Sequence, residues 1–252
     1  MNRILALIDA IGELSILTLE VIKALFKAPF EKDLILEQLA RGGVDSWSIT
    51  VLTAVFTGMV MAMQFSIGLE PFGASMYTGK LVSLGIVREL GPVLTALLVG
   101  GRVGAGFTAE LGTMAVTEQI DAIRCLGASP IRKLVLPRVV AMTFIMPLLT
   151  LLADVIGCFG GALITIFEVG VTPAFAVSQM IETVGPSDLI HGLLKSIFFG
   201  YFIAILSCWV GMSARGGAES VGQATTTTVV YTSVTILVAD FILTRFFLAV
   251  YG

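Results

Sequence analysis

One stretch of the chain, residues 46–69, runs for 24 residues between Asp45 and Glu70 without a charged side chain. At 1.5 Å per residue, a helix of that length extends about 36 Å and crosses a hydrocarbon core of about 30 Å. The whole chain is poor in charge, with 13% charged residues against about 25% in soluble domains. Apolar residues make up 56% of its 252 residues, more than a soluble fold of this size can bury. The sequence therefore predicts an integral membrane protein.

Four further apolar segments follow along the chain, and each is long enough to cross a bilayer as a helix. Lipid supplies no water to hydrogen-bond the backbone, and the segments lack the alternation of barrel strands, so we expect helices. The predicted fold is an all-α integral membrane protein whose five transmembrane helices occupy a domain over residues 46–252. The four segments are residues 90–109, 139–167, 196–214 and 228–251.

The first 45 residues follow another pattern. Apolar residues recur there at helical spacing, charged residues lie mostly on another face, and no uncharged run reaches 18 residues. This pattern is typical of a helix that lies in the membrane interface. We therefore expect an N-terminal interfacial amphipathic helix within residues 1–45; the alternative is a buried helix that packs against the bundle.

Basic residues indicate the orientation, because cytoplasmic loops carry an excess of Lys and Arg. With a cytoplasmic N-terminus, ten basic residues lie inside and three lie outside. Five spans then place the C-terminus on the periplasmic side. The inside residues are Arg3, Lys23, Lys27, Lys32, Arg41, Arg124, Arg132, Lys133, Arg138 and Arg215; the outside residues are Lys80, Arg88 and Lys195.

A short amphipathic helix is predicted at residues 117–127, on the cytoplasmic side between the second and third spans. Thr117 is a candidate N-cap, and Glu118 and Asp121 lie in the first turn, where the helix dipole favours acidic groups. Gly127 ends the helix. Its apolar stripe consists of Ile120, Ile123 and Leu126.

Several classes of function are excluded by composition and spacing. A net charge of −3 gives no electrostatic footprint for nucleic acid. One histidine and three widely spaced cysteines make a metal centre unexpected. The segment from Gly73 to Lys80 resembles a phosphate-binding loop, but it has one residue too many and Leu81 replaces the Mg²⁺-binding Ser or Thr. We therefore expect a chain without enzyme activity and without a cofactor of its own.

Charged residues within the spans are the strongest functional signal, because such a group is costly in lipid unless it is paired or hydrated. Glu89, Lys195 and Asp240 all belong to the outer half of the predicted bundle, where we expect them to meet in one cavity, and Arg88 lies beside them. A structural ion pair between helices is the alternative. An ion-coupled secondary transporter or channel is a second function that these residues would serve, although no inverted repeat is visible.

Glycines recur within the second and third spans with a spacing of four residues. Gly100 and Gly104 form one such pair, and Gly157 and Gly161 form another. This spacing lets two helices approach closely. The sequence leaves open whether the helices pack within one chain or form the seam of a homodimer.

A series of ordered motifs resembles the MlaE family of ABC-transporter permeases. The resemblance extends from about residue 50 to the end of the chain. The motifs are RELGPV at 88–93, GRVGA at 101–105, TAELG at 108–112, TEQ at 117–119, LPR at 136–138, LKS at 194–196, ATTTTVV at 224–230 and DFILT at 240–244.

The resemblance implies a homodimeric permease in the bacterial inner membrane that moves phospholipids to or from a periplasmic MCE-domain protein ring. Such a system maintains the lipid asymmetry of the outer membrane. The implied partners are two cytoplasmic ABC ATPase subunits, which bind ATP and Mg²⁺, and in many systems a STAS-domain subunit. The implied fold is an interfacial helix followed by five spans with a coupling helix between the second and third.

The resemblance also implies two sets of site residues. Phospholipid is expected against the first span and the segment after it, and against polar residues of the cavity wall. The helix at residues 117–127 is expected to contact the ATPase. The substrate-binding candidates are Met61, Gln64, Gly68, Leu69, Phe72, Arg88, Glu89, Lys195 and Asp240, and the ATPase-coupling candidates are Thr117, Glu118, Asp121, Ile123 and Arg124.

Overall fold

The computed structural model describes residues 2–26 and 32–251. Part of the region expected to hold the interfacial helix, residues 1 and 27–31, therefore lies outside the described residues. The described chain is helical and contains no strand. Its α-helices are α1 (Asn2–Leu25), α2 (Lys32–Leu39), α3 (Trp47–Leu69), α4 (Thr78–Gly85), α5 (Gly91–Val99), α6 (Ala105–Val116), α7 (Gln119–Cys125), α8 (Leu136–Phe167), α9 (Pro173–Thr183), α10 (Pro186–Met212) and α11 (Ala218–Tyr251).

Five helical segments of the described chain are long and apolar enough to cross a membrane, and the predicted number of spans is confirmed. The second begins well before the apolar run at residues 90–109 that indicated it, because the helix continues through Arg88 and Glu89. The segments are span 1 (Lys32–Phe72), span 2 (Ser75–Val116), span 3 (Ile131–Phe167), span 4 (Pro186–Met212) and span 5 (Ala218–Ala249).

Short π-helical turns interrupt the α-helices at four places in the described chain. One of them, Ile86–Leu90, joins α4 to α5 within span 2 and carries Arg88 and Glu89. Such wide turns are rare and occur often at functional sites. The other three are Ala40–Val44, Gly100–Gly104 and Ile131–Val135.

Contacts divide the chain into two units, each built from three chain segments. The first unit comprises Met1–Gly42, Val99–Phe144 and Phe199–Ala239. The second comprises Gly43–Leu98, Ile145–Phe198 and Asp240–Gly252.

Helix α1 belongs to the first unit and buries one row of its side chains. Leu17, Val21 and Ala24 are buried, and the Tyr201 hydroxyl donates a hydrogen bond to Thr18 Oγ1 at 2.8 Å. A second apolar row stays exposed: Ile8, Ile11, Leu19 and Ile22. The helix therefore packs on its unit through one face and keeps another apolar face uncovered, and its interfacial position stays a prediction.

Glycines in the second unit permit close helix packing within the chain. A Cβ atom added at Gly58 would collide with the backbone oxygen of Gly157, and one added at Gly160 would collide with that of Val55. Gly161 packs against Val82 in the same way. Of the two roles that the sequence left open for the glycines of span 3, packing within one chain is the one that this geometry displays.

Candidate functional site

The Lys195 ammonium group lies at the centre of a charged cluster in the second unit. Its Nζ atom is 2.6 Å from Glu89 Oε2 and 3.0 Å from Asp240 Oδ1. Lys195 is only 2% exposed. The structure thus brings together the three residues that the sequence analysis expected to meet, while their part in lipid binding stays a prediction.

Every N–H group of Lys195 has an acceptor in this cluster. An ammonium group donates three hydrogen bonds, and Lys195 Nζ donates to Glu89 Oε2, to Thr244 Oγ1 at 2.7 Å and to the carbonyl oxygen of Arg88 at 3.1 Å. Asp240 adds a second negative charge beside it. A buried cation is costly without partners, and here its partners come from spans 2 and 5.

Helical spacing explains how these side chains converge. On α10, Asp188, His191 and Lys195 recur at intervals of three and four residues and share one face. On α11, Asp240 and Thr244 are four residues apart and share a face in the same way. Sequence analysis missed Asp188, His191 and Thr244, although this spacing was visible in the sequence.

A second ion pair lies next to the cluster. Arg88 donates a hydrogen bond through Nε to Asp188 Oδ1 at 2.7 Å, and its Nη2 atom is 2.5 Å from the same oxygen. Asp188 Oδ2 accepts a hydrogen bond from the backbone N–H of Gly185 at 2.9 Å, which caps the start of α10. Because these bonds use Nε and Nη2 of Arg88, its Nη1 atom points away from Asp188. The Arg88 side chain is 47% exposed.

A cavity of about 590 Å³ opens beside these groups in the second unit. Its polar wall contains Arg88, Glu89 and Lys195, and its apolar wall includes Phe247, on which the His191 ring stacks at 4.8 Å. The remaining lining residues are Leu84, Gly85, Ser187, Thr244 and Leu248. An apolar wall beside charges of both signs suits an amphipathic molecule with a charged head.

The other substrate-binding candidates lie elsewhere, along span 1. Met61 packs against the buried cluster of Ala62, Val82 and Ile86. Gln64 and Gly68 are exposed, Leu69 is half-buried and Phe72 is 82% exposed. None of these five candidates lines the cavity. The structure therefore brings together the charged candidates and leaves those of span 1 on a separate surface.

A helix, α7, lies within the predicted segment 117–127, but it starts later than predicted, and its cytoplasmic position stays a prediction. Glu118, not Thr117, is the N-cap, and Glu118 has a left-handed backbone with φ of 58°. Thr117 instead closes α6: its hydroxyl donates to the Thr113 carbonyl oxygen at 2.8 Å. The assignment of Thr117 as N-cap was wrong because the carbonyl group four residues earlier binds the Thr117 side chain.

Helix α7 has one buried and several exposed side chains. Ile120 is buried and Ile123 is half-buried. Asp121 and Arg124 form an exposed ion pair of 2.9 Å, and Leu126, just past the helix, is 85% exposed. Ile120 therefore anchors α7 to the first unit while charged and apolar groups stay exposed.

A model of the family Permease MlaE matches residues 35–246. The chain belongs to the MlaE permease family. The match covers all the charged-cluster residues and α7, together with nearly all of the five spans.

Relatives of this MlaE-family chain align over most of its length. A probable ABC transporter permease protein of Rickettsia bellii is 39% identical over 99% of this chain and 96% of the relative. The intermembrane phospholipid transport system permease protein MlaE of Haemophilus influenzae is 38% identical over 84% of this chain and 81% of its own length. The chloroplast protein trigalactosyldiacylglycerol 1 of Arabidopsis thaliana is 37% identical over 84% of this chain and 61% of its own length.

Proposed function

We propose that this ABC transporter permease moves phospholipids between the bacterial inner membrane and a periplasmic MCE-domain carrier, and so maintains outer-membrane lipid asymmetry. Membership of the MlaE family supports this proposal, as does the similarity to a phospholipid transport permease of Haemophilus influenzae.

The observation that carries the proposal is the cavity between the charged cluster and the apolar wall. A phospholipid has a charged head and two apolar chains, and the cavity offers the exposed guanidinium group of Arg88 beside Phe247 and Leu248. Lys195 is less suited to hold a phosphate, because its three N–H groups are already bound. We therefore assign the phosphate contact to Arg88 and a positioning role to Lys195.

Residues of span 1 complete the proposed lipid path in a homodimer. Gln64, Gly68 and Phe72 are exposed and lie outside the cavity. Together with Met61 and Leu69 they form a surface suited to an acyl chain, because their side chains are mostly apolar or absent. In the proposed homodimer, this surface of each copy faces the lipid between the two permeases.

The energy source in this proposal is a pair of ABC ATPase subunits that bind ATP and Mg²⁺ and dock on α7. Its exposed pair Asp121–Arg124 and the exposed Leu126 are suited to a protein contact. The excess of basic residues on one side supports a cytoplasmic position for α7 and the N-terminus and a periplasmic position for the C-terminus. A STAS-domain subunit is a further proposed partner.

Native mass spectrometry of the chain purified with the products of its operon tests the proposal. The expected complex contains two permeases, two ATPases and bound phospholipid, and extraction of the complex identifies the lipid. A permease without ATPase and without lipid contradicts the proposal. Ion-dependent uptake by vesicles that contain the purified chain alone indicates instead an ion-coupled transporter based on Glu89, Lys195 and Asp240.

A further inference from the structure

Charged groups of both signs surround the cavity. Arg88 pairs with Asp188, and Lys195 pairs with Glu89 and Asp240. A ligand that carries both a positive and a negative group can find a partner of opposite sign for each, whereas a ligand that is only anionic can find one for its phosphate alone.

Only two of these five groups are accessible to a ligand in the cavity. Lys195 and Asp188 are almost fully buried, and Asp240 does not line the cavity. Arg88 and Glu89 line it, and 47% and 40% of their side chains are exposed. A headgroup that enters the cavity therefore meets one guanidinium group and one carboxylate group.

The two oxygens of Glu89 are bound unequally. Lys195 binds Oε2 at 2.6 Å, whereas the Thr244 hydroxyl is 3.4 Å from Oε1, so Oε1 keeps the greater capacity to accept a further hydrogen bond. A carboxylate oxygen bonded to an ammonium group makes one of the stronger hydrogen bonds in proteins. Arg88 Nη1 is available to a phosphate in the same way, since the pair with Asp188 uses Nε and Nη2.

We infer that this cavity selects phospholipids whose headgroup carries a primary ammonium group, with the phosphate on Arg88 and the ammonium on Glu89 Oε1. This inference rests on the proposed function and adds a headgroup preference to it. A zwitterionic headgroup satisfies both exposed groups at once. A glycerol headgroup supplies no cation to Glu89 Oε1, because its hydroxyls donate hydrogen bonds but bring no positive charge.

The test compares two lipids in one membrane. The complex of the full-length chain with its ATPase is reconstituted into nanodiscs that contain equal amounts of phosphatidylethanolamine and phosphatidylglycerol with identical acyl chains. Bound lipid is then counted by native mass spectrometry. We expect phosphatidylethanolamine to be enriched about tenfold, the ratio that corresponds to about 1.4 kcal/mol.

Two substitutions test whether Glu89 is responsible for the headgroup preference. Glu89→Gln keeps an oxygen for Lys195 but removes the charge, and we expect the enrichment to fall below about twofold, since the neutral amide is a weaker acceptor for an ammonium group. Glu182→Gln makes the same change at an exposed carboxylate of α9 outside the cavity, and it is expected to keep the enrichment. Because the measurement is a ratio within folded complexes, a lower yield of either variant does not alter it.

Three other outcomes would each contradict one of the claims made above. Equal binding of both lipids by the unchanged chain refutes the headgroup preference and leaves phospholipid transport standing. Enrichment that persists in Glu89→Gln refutes the role of Glu89. Absence of both lipids from the complex refutes the proposed function itself.

Discussion

The Nζ atom of Lys195 on α10 lies 2.6 Å from Oε2 of Glu89 in span 2. The same Nζ atom lies 3.0 Å from Oδ1 of Asp240 on α11. Replacing Lys195 by Met preserves its volume but leaves two carboxylates without a cation. We expect a loss of about 3–5 kcal/mol, the usual result of removing one partner of a buried ion pair. The melting temperature of the purified chain in detergent measures this loss.

A triple variant is the control for that measurement. Lys195→Met combined with Glu89→Gln and Asp240→Asn removes all three charges together, so no unpaired charge remains in the cluster. We expect it to melt at a higher temperature than Lys195→Met alone. Equal melting temperatures for the two variants are incompatible with an ion pair that stabilises the bundle.

Arg88 offers a test of phosphate binding that keeps the positive charge. In Arg88→Lys the ammonium group still pairs with Asp188, but it lacks the second arm that the guanidinium group presents to a ligand. We expect a loss in phospholipid affinity of about ten- to a hundredfold, since a hydrogen bond to a charged group contributes about 1.5–3 kcal/mol. Arg215→Lys, at an exposed position outside the cavity, is the matched control, and an equal loss in both contradicts the assignment.

The close approach of Gly58 to Gly157 predicts a packing defect. Gly58→Ala places a methyl group against the Gly157 backbone, and overpacking of this kind costs about 1–3 kcal/mol. Gly106→Ala is the control, since a Cβ there has no neighbour within 4 Å and alanine favours the helix. Thermal unfolding in detergent should give a lower melting temperature for Gly58→Ala than for Gly106→Ala. A Gly58→Ala protein that melts at the same temperature as the unchanged chain contradicts the close packing of Gly58 on Gly157.

Reversal of the acidic charges on α7 tests ATPase docking. Glu118→Lys with Asp121→Lys changes exposed side chains at and after the N-cap, so we expect only a small fall in melting temperature from the lost Asp121–Arg124 pair and the reversed charge at the helix N-terminus. The yield of co-purified ATPase should fall, because the charge presented to the partner is inverted. Glu182→Lys, on α9, is the control, and we expect it to leave the yield of co-purified ATPase unchanged. An unchanged ATPase yield in the α7 variant contradicts docking at this helix.

The five spans were predictable because bilayer thickness sets a minimum length for each apolar run. The meeting of Glu89, Lys195 and Asp240 was predictable for a related reason: an isolated charge is costly in lipid, so each required a partner. Asp188 was missed because it lies in the first turn of α10, where an acidic residue is ordinary. Its pairing with Arg88, 100 residues earlier, depends on how two helices are rotated, which periodicity does not specify.

The start of α7 could not be predicted from residue preferences alone. Thr117 has the side chain of an N-cap, but the Thr113 carbonyl oxygen lies within its reach on the preceding turn. Local competition of this kind depends on atomic positions at the end of α6. The role of the span 1 surface could not be predicted either. The sequence shows that its residues are apolar, but it does not show what covers the exposed Phe72.

The left-handed backbone of Glu118 sets the direction in which α7 leaves α6. A side chain in that conformation costs about 1–2 kcal/mol, so the packing around it, with Ile120 buried two residues later, has to offset that cost. A glycine at this position would adopt the same conformation without the cost and would also gain access to other backbone angles. The glutamate therefore restricts the angle between α6 and α7 more narrowly than a glycine would.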